Sequence, residues 1–175
     1  MQASDGTVRW SHTLDGSEYD QGVNTPVIAD GIVYVRSNGL GTQALARGVP
    51  SFGFGLHALG ASDGTPLWTY PTAITQPVAA GGAVYAGDSS GNVIALHTTD
   101  GAVIWKQPVA GAVSAVWRMS LTLANGILYV AGGAAGPAGG EVIVQALRAP
   151  DGRLRWQCRL PGASVSQLGT PVFAA

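Results

Sequence analysis

Four copies of one short phrase are the first place in this sequence where side chains could carry out chemistry. Each copy is Asp-Gly, three further residues and Trp: SDGTVRW at 4–10, SDGTPLW at 62–68, TDGAVIW at 99–105 and PDGRLRW at 150–156. Repeated carboxylates could ligate a metal ion. They could also support turns, because an Asp side chain accepts hydrogen bonds from nearby backbone N–H groups. We favour the turn interpretation, since the four aspartates fall in different repeats.

The other reactive side chains form no recognisable catalytic or metal-binding pattern. The three histidines, His12, His57 and His97, lack the spacing of metal ligands. The sequence has no Ser-His-Asp order with a nucleophile elbow and no phosphate-binding loop. Cys158 lies two residues after Trp156, on the same side of a strand, so we expect a partly buried, unreactive thiol. The sequence therefore predicts no catalytic residue, no metal site and no bound cofactor.

Composition narrows the classes of partner. The 175 residues are 46% hydrophobic and 11% charged, against roughly 25% charged in a typical soluble domain. The net charge is −1 without a basic cluster, which argues against nucleic acid as a partner. No apolar run approaches the roughly 20 residues of a membrane span, so we expect no direct membrane insertion. Twenty-six glycines between short apolar runs favour closely packed β-sheet.

Two alternating phrases repeat along the chain and set its organisation. In the first, an Ala-Leu pair is followed by Gly six residues after the Ala and by Trp ten residues after it. These pairs are Ala58-Leu59, Ala95-Leu96 and Ala146-Leu147. In the second, a turn pair is followed by Tyr three residues after its second member. These pairs are Asp30-Gly31, Gly81-Gly82 and Asn125-Gly126.

Local rules convert the phrases into strands. The turn pairs are those preferred in two-residue type I′ hairpins, which need positive φ at both central positions. Each hairpin joins strand A to strand B, the stretch ending in Ala-Leu is strand C, and Asp-Gly leads into strand D with its Trp. For the cleanest repeat the predicted strands are 75–80, 83–88, 92–98 and 102–107. Each unit is therefore a four-stranded antiparallel meander.

Both faces of such a meander are apolar. In one strand D, Val103 and Trp105 point one way while Ala102 and Ile104 point the other. A sheet that is apolar on both faces must lie between neighbours, and meanders stacked radially form a β-propeller. The sequence thus predicts an all-β propeller in which each Trp packs across to the adjacent blade. The repeat residues with this structural role are Gly6, Trp10, Gly64, Trp68, Gly101, Trp105, Gly152 and Trp156.

The spacing of Ala, Gly and Trp resembles the tryptophan-docking motif of pyrroloquinoline-quinone (PQQ) repeat propellers. The match covers Ala58–Trp68, Ala95–Trp105 and Ala146–Trp156, with a truncated copy at Met1–Trp10. That superfamily includes quinoprotein dehydrogenases, the outer-membrane β-barrel-assembly lipoprotein, and sensor or scaffold domains of bacterial signalling proteins. The resemblance implies a bacterial protein in the periplasm, outside the cell or at its surface. It does not by itself imply one function.

We interpret residues 1–175 as one segment of a PQQ-like repeat propeller. The blades are expected at about 24–70, 75–107 and 118–158, with partial-blade strands at 5–10 and 169–175. Since propellers usually close with four to eight blades, we expect a piece of a larger propeller. Open blade edges invite self-association, and two chains completing one ring is the alternative.

The connections predict where binding would occur. The A–B and C–D turns share one rim and are uniform, whereas the B–C and D–A connections share the opposite rim and vary in length. Variable loops on a rigid frame commonly carry binding residues. The candidates for contact with a protein or small ligand are Tyr19, Arg47, Phe52, Trp117 and Arg118. An alternative without a partner stays open for three of these residues. Tyr19 could lie in a solvated loop, Trp117 could pack in the core, and Arg118 could be a surface charge.

Three functions are open at this point. We favour a non-catalytic module that presents loops to a protein or small ligand, as a scaffold or sensor. The second is a fragment of a PQQ-dependent quinoprotein dehydrogenase. The resemblance implies that such an enzyme uses a bound quinone, a Ca²⁺ ion held by carboxylate and amide side chains, and an Asp base. None of these features is assembled in this sequence. The third is a purely architectural segment.

Overall fold

The computed structural model describes residues 7–11, 25–37, 55–72, 75–109, 119–136 and 139–161. All regular structure in those ranges is β-strand. Within these ranges twelve strands form three four-stranded sheets, and each sheet is an antiparallel meander in chain order. The prediction of an all-β chain built from such meanders is confirmed.

The strand bounds follow the repeat. The first sheet contains β1 (Val27–Ala29), β2 (Ile32–Ser37), β3 (Gly55–Gly60) and β4 (Pro66–Tyr70). The second contains β5 (Val78–Ala80), β6 (Ala83–Gly87), β7 (Asn92–His97) and β8 (Val103–Pro108). The third contains β9 (Met119–Ala124), β10 (Ile127–Gly136), β11 (Gly139–Arg148) and β12 (Leu154–Pro161).

Two-residue hairpins join the first two strands of every sheet. Asp30 and Asn125 have φ of 52° and 50°, and the glycine after each also has a positive φ. In the second sheet Gly81 and Gly82 have φ of 61° and 77°. Positive φ at both central positions is the geometry of a type I′ turn, whose twist matches that of the flanking strands. The hairpin prediction is confirmed at all three places.

The recurring Ala-Leu pair marks an irregularity of the sheets. The register between the third and fourth strands shifts between Ala58 and Leu59, and it shifts at the corresponding pairs of the other two sheets. A bulge bends a strand and increases its local twist. In each sheet the extra residue lies in the fourth strand, immediately before the Trp.

The second sheet is packed on both faces. Val84 and Ile94 pack toward Tyr34 and Leu56 of the first sheet. Tyr85 and Val93, of the opposite side-chain parity, pack toward the third sheet together with residues of β9 and β10. Side chains of adjacent strand positions point to opposite faces. The apolar character of both faces is thereby explained by burial between two neighbours.

The first strands of the sheets lie next to one another. β1 contacts β5, and β5 contacts β9. Each meander then runs outward from this row of first strands to its Trp-bearing fourth strand. Sheets that share an inner edge and pack face to face have the arrangement of propeller blades.

Candidate functional site

The turns between the third and fourth strands share one geometry. In each, the Asp carboxylate accepts a hydrogen bond from the backbone N–H two residues further on, as the turn interpretation predicts. The N–H donors are Thr65, Ala102 and Arg153, at 3.1, 2.9 and 3.2 Å from Asp63, Asp100 and Asp151. The hydroxyl of Thr65 also donates to Asp63, and these two bonds lower the pKa of that carboxyl. The turn role of these aspartates is confirmed.

Three tryptophans donate their indole N–H to a backbone carbonyl across the boundary between units. Trp10 Nε1 donates to Ala61 O at 3.0 Å. Trp68 Nε1 donates to Thr98 O at 2.8 Å, and Trp105 Nε1 donates to Ala149 O at 2.8 Å. In every case the acceptor is three residues before the turn glycine. We call each such contact an indole joint, and the four residues from the acceptor to the glycine an acceptor turn.

The acceptor residue of each joint is itself held by the hairpin of its own sheet. The N–H of Ala61 donates to the Gly31 carbonyl at 2.9 Å. The corresponding bonds run from Thr98 to Gly82 at 3.1 Å and from Ala149 to Gly126 at 3.0 Å. The hairpin therefore fixes the carbonyl that receives the indole. These three acceptors could not be predicted from the sequence, because they act through main-chain atoms and two different residue types occupy the position.

The turn glycine lies directly against the indole of the preceding unit. A Cβ added at Gly64 would lie 2.5 Å from Cε3 of Trp10. A Cβ at Gly101 or Gly152 would lie 2.7 Å from the indole of the tryptophan that it faces. The φ angles of the three glycines, from +69° to +73°, also belong to the left-handed region. Glycine is required here for room as well as for backbone conformation.

Each Trp also belongs to a row of three side chains across its own sheet. Tyr34, Ala58 and Trp68 are opposite one another on β2, β3 and β4, and the other sheets repeat the row. The small Ala leaves space for the two rings, whose centroids are 5.9 Å apart in the first sheet. The equivalent Tyr–Trp separations are 5.8 and 6.1 Å. These distances lie within the range of favourable aromatic pairs.

An apolar crevice opens between the second and third sheets. Its volume is about 920 Å³, and its main lining comes from 77–83, 121–126, Ile104, His97 and 149–150. The lining includes the hairpins of both sheets and the acceptor Ala149. Among the described residues that line it, none is a carboxylate, a lysine or a cysteine. Such a surface can bind an apolar group but offers no acid and base pair for catalysis.

The crevice lies beside the uniform A–B and C–D turns. The sequence predicts binding at the opposite, variable rim, and all five candidate residues of that rim lie outside the described ranges. Those residues are Tyr19, Arg47, Phe52, Trp117 and Arg118. Gly6 of the structural set also lies outside them. Binding at the variable rim stays a prediction.

Comparison with known proteins agrees with the repeat geometry. A family model described as outer membrane protein assembly factor BamB, built on PQQ-like repeats, matches residues 1–115 and, in a second alignment, residues 53–175. Together the two matches cover the whole chain. This chain belongs to the PQQ-like repeat family.

A curated relative of this PQQ-like repeat chain matches it over part of the length of both proteins. The outer membrane protein assembly factor BamB of Yersinia pestis is 29% identical over 119 residues, which cover 63% of this chain and 25% of that protein. The chain therefore spans about a quarter of the length of this curated relative.

Solved structures support the fold. Quinohemoprotein alcohol dehydrogenase from Comamonas testosteroni superposes with a TM-score of 0.60 at 23% identity, covering 79% of this chain and 21% of that one. BamB from Moraxella catarrhalis superposes with a TM-score of 0.52 at 20% identity, covering 87% and 55%. At such identities the likeness establishes the β-propeller fold and leaves the activity open.

The described part of this PQQ-like repeat chain does not fit a quinone with its Ca²⁺ ion. No group of three or more His, Cys, Asp or Glu side chains is close enough to hold a metal ion within the described residues. The crevice, which is large enough for a small ligand, presents no carboxylate to a cation.

No helix in the described ranges is long and apolar enough to cross a membrane.

A buried carboxylate anchors the turn between β6 and β7. The side chain of Asp88 is 1% exposed and lies 2.7 Å from Lys106 Nζ. Its Oδ1 also accepts the backbone N–H groups of Ser90 and Asn92, each at 2.9 Å. Burial raises the pKa of Asp88, but the bonds from Lys106, Asn92 and Ser90 outweigh it and leave that pKa below its ordinary value. The Asp88 carboxylate finds its partners within this cluster, so its role is to hold the turn between β6 and β7.

His57 is the buried histidine of the first sheet. Its Nε2 lies 2.8 Å from Ser37 Oγ, and its Nδ1 lies 3.1 Å from Thr69 Oγ1. Both partners are on neighbouring strands of the same sheet. The ring acts as a cross-strand link.

The expectation of a partly buried Cys158 is wrong. The thiol is exposed, and Trp156 on the same strand is 47% exposed. The parity assignment holds, because Cys158 and Trp156 are two residues apart. The burial does not follow, because no described sheet covers that face as the third sheet covers the second.

Proposed function

We propose that this chain is a protein-binding part of a non-catalytic PQQ-like repeat propeller, acting as a scaffold in the periplasm. Its task is to hold an apolar segment of a partner protein against a rigid frame. The observation that carries the proposal is the apolar crevice of about 920 Å³ between the second and third sheets. Its walls are strands and hairpins, so the surface is preorganised for binding.

The indole joints supply the rigidity that this function needs. We infer that Trp10, Trp68 and Trp105 dock each unit onto the next, and that this is the role of the repeated Trp. The joint at Trp105 and Ala149 lies at the crevice itself, since Ala149 is one of its lining residues. Weakening that joint would change the width of the crevice.

The relatives favour the same class of function. The curated relative is named as an outer membrane protein assembly factor, and the matching family model has the same description. Proteins that build the outer membrane meet their partners in the periplasm, which is our basis for the proposed location. Tyr19, Arg47, Phe52, Trp117 and Arg118 are proposed as a second set of partner contacts on the variable rim.

Site-specific photo-crosslinking tests the crevice directly. A photoreactive phenylalanine at Ile104, which lines the crevice, should capture a discrete partner protein when the chain is expressed in the periplasm of a Gram-negative bacterium. The same residue at Arg153, whose side chain is 77% exposed, serves as the control and should capture none. Equal capture at both positions, or none at either, would contradict the proposal.

A fragment of a quinoprotein dehydrogenase is the second candidate. It stays open because the solved structures that share this fold include the quinohemoprotein alcohol dehydrogenase from Comamonas testosteroni. Addition of PQQ and Ca²⁺, followed by an assay for dye-coupled oxidation of alcohols and sugars, separates the two. We expect no turnover above that of the quinone alone, and turnover would overturn the scaffold proposal.

A further inference from the structure

A buried phenol lines the crevice between the second and third sheets. Tyr85 is 4% exposed and is one of the lining residues. Its hydroxyl group forms no hydrogen bond with any residue that the structure describes. Burial raises the pKa of Tyr85, and no hydrogen bond opposes that rise. Since buried hydroxyl groups are nearly always hydrogen-bonded, this one is a binding group that the chain itself does not use.

The equivalent phenol of the first sheet shows where the Tyr85 hydroxyl group extends. Burial and the Asp30 charge raise the pKa of Tyr34, and the Thr98 hydroxyl group lowers it, so the two hydroxyl groups lie close together. Tyr85 repeats the place of Tyr34, with Tyr–Trp separations of 5.8 and 5.9 Å. In the next joint Ala149 takes the place of Thr98. The Tyr85 hydroxyl group therefore extends toward Ala149, which also lines the crevice.

Thr98 and Ala149 differ in a hydroxyl group that has a defined bond. The backbone N–H of Thr98 donates to the Gly82 carbonyl, and its Oγ1 donates to the same carbonyl at 3.2 Å. The backbone N–H of Ala149 donates to the Gly126 carbonyl in the same way, but an alanine has no hydroxyl group to add. The crevice thus places a donor, on Tyr85, and an acceptor, on Gly126, around the position that a hydroxyl group occupies in the preceding joint.

The two groups select a neutral hydroxyl group. A serine or threonine hydroxyl both accepts and donates a hydrogen bond, so it can accept from Tyr85 and donate to the Gly126 carbonyl. A carboxylate or an ammonium group would find no Asp, Glu, Lys or Arg side chain in the described lining, and burying it unpaired is costly. Thr98 is itself buried in the equivalent place, so a threonine side chain fits there.

We propose that the crevice takes a serine or threonine that is flanked by apolar residues in the partner protein. Its hydroxyl group accepts a hydrogen bond from Tyr85 and donates one to the Gly126 carbonyl. This inference rests on the proposed function and adds its specificity, because a few polar groups in an apolar site fix the position and direction of what binds there.

Two peptides that differ by one hydroxyl group test the proposal. N-acetyl-Leu-Thr-Leu-amide and N-acetyl-Leu-Val-Leu-amide have nearly the same shape, and NMR titration of each into the isotope-labelled chain gives its Kd. We expect the threonine peptide to bind about tenfold more tightly. Tyr85→Phe should remove this preference. Tyr34→Phe is the matched control and should keep it, because Tyr34 lies outside the described lining.

A hydroxyl group supplied by the chain tests the same geometry without a ligand. Ala149→Thr places it as in Thr98, and Ala149→Val has the same shape without it. We expect the unfolding equilibrium constant to be about fivefold lower for Ala149→Thr than for Ala149→Val. Adding Tyr85→Phe to both should reduce this ratio, which completes a double-mutant cycle. Circular dichroism of each variant establishes that it is folded.

Failure of this proposal can be told from failure of the scaffold function. Equal binding of the two peptides, or a threonine preference that survives Tyr85→Phe, would overturn the hydroxyl site, and so would equal stability of Ala149→Thr and Ala149→Val. The scaffold function stands in those cases if photo-crosslinking at Ile104 still captures a partner. Binding of neither peptide would also overturn the hydroxyl site, and both proposals fall if the capture at Ile104 fails as well.

Discussion

The indole N–H of Trp105 meets the carbonyl oxygen of Ala149 at 2.8 Å, across the boundary between the second and third sheets. The two residues are 44 positions apart in the chain. Trp105→Phe keeps most of the apolar contact but removes the donor, which leaves a part-buried carbonyl unpaired. We expect the free energy of unfolding to fall by about 1–2 kcal/mol in urea titrations.

Trp156→Phe is the matched control for that loss. Trp156 has the same place in its row, but it is 47% exposed and donates to no described acceptor. At concentrations low enough for a single chain, the change should stay within about 0.5 kcal/mol. Equal losses for the two variants would show that the joint contributes nothing beyond ring packing.

Gly101→Ala should destabilise more than Gly81→Ala. Both glycines have positive φ, +72° and +61°, so both alanines carry similar backbone strain of about 1 kcal/mol. Only at Gly101 would the added Cβ meet the Trp68 indole, at 2.7 Å, whereas nothing lies within 4 Å at Gly81. We expect a further loss of about 1–3 kcal/mol at Gly101 from the forced shift of the ring. Thermal unfolding of the pair measures it, and equal losses would contradict the close approach.

The lowered pKa of Asp88 predicts that the fold loses stability in acid. Its folded pKa lies below the ordinary value, so it stabilises the fold above the unfolded pKa, near 4, and this stabilisation is lost as the pH falls through the folded pKa. Asp88→Asn removes this dependence and should flatten the stability profile below about pH 5. Urea midpoints measured from pH 6 down to pH 3 check the change.

Lys106→Met separates the ion pair from the turn bonds of Asp88. It removes the ammonium group at 2.7 Å but leaves the bonds from Ser90 and Asn92. Because the Lys106 side chain is 44% exposed, the loss at neutral pH should be smaller than that of Asp88→Asn. A larger loss for Lys106→Met would mean that the ion pair, and not the turn, is the main role of the carboxylate.

Tyr34→Phe should be neutral or stabilising by up to about 1 kcal/mol. The Tyr34 hydroxyl is buried without a hydrogen bond of normal geometry, so its removal costs no partner. Burial and the nearby Asp30 charge raise the pKa of Tyr34 to about 12, with the Thr98 hydroxyl opposing them.

The raised pKa of Tyr34 also predicts how Tyr34→Phe changes stability at alkaline pH. A folded pKa above the unfolded value means that stability is present below about pH 10 and is lost as the pH rises toward 12. Tyr34→Phe should reduce that loss relative to wild type in urea titrations. Identical alkaline profiles for wild type and Tyr34→Phe would refute the assignment.

Much of the fold could be predicted because the repeated residues favour specific backbone conformations. The pairs Asn125-Gly126 and Asp30-Gly31 favour a tight hairpin. Successive apolar residues on β8 indicate a sheet that is apolar on both faces. The strands predicted for the second unit, 75–80, 83–88, 92–98 and 102–107, differ from the observed ones by at most three residues at either end.

Contacts made by backbone or by a single pair of charges could not be predicted. The acceptors Ala61, Thr98 and Ala149 share no side-chain chemistry, so only their constant spacing before the turn glycine could have identified them. Asp88, in the turn after β6, is 18 residues from Lys106 on β8, and their pairing depends on the register of β7 with both β6 and β8. The burial predicted for Cys158 is wrong because parity tells which face a residue occupies and not whether that face has a neighbour.

A joint built from main-chain atoms has an evolutionary consequence. Since the receiving carbonyl places no demand on side-chain identity, a gene duplication or crossover that inserts one whole unit recreates the same contact at each new junction. The family model accordingly matches the chain in two overlapping ranges, 1–115 and 53–175. Lineages can thus lengthen or shorten such arrays in single steps, and mutation can then diversify their surfaces independently.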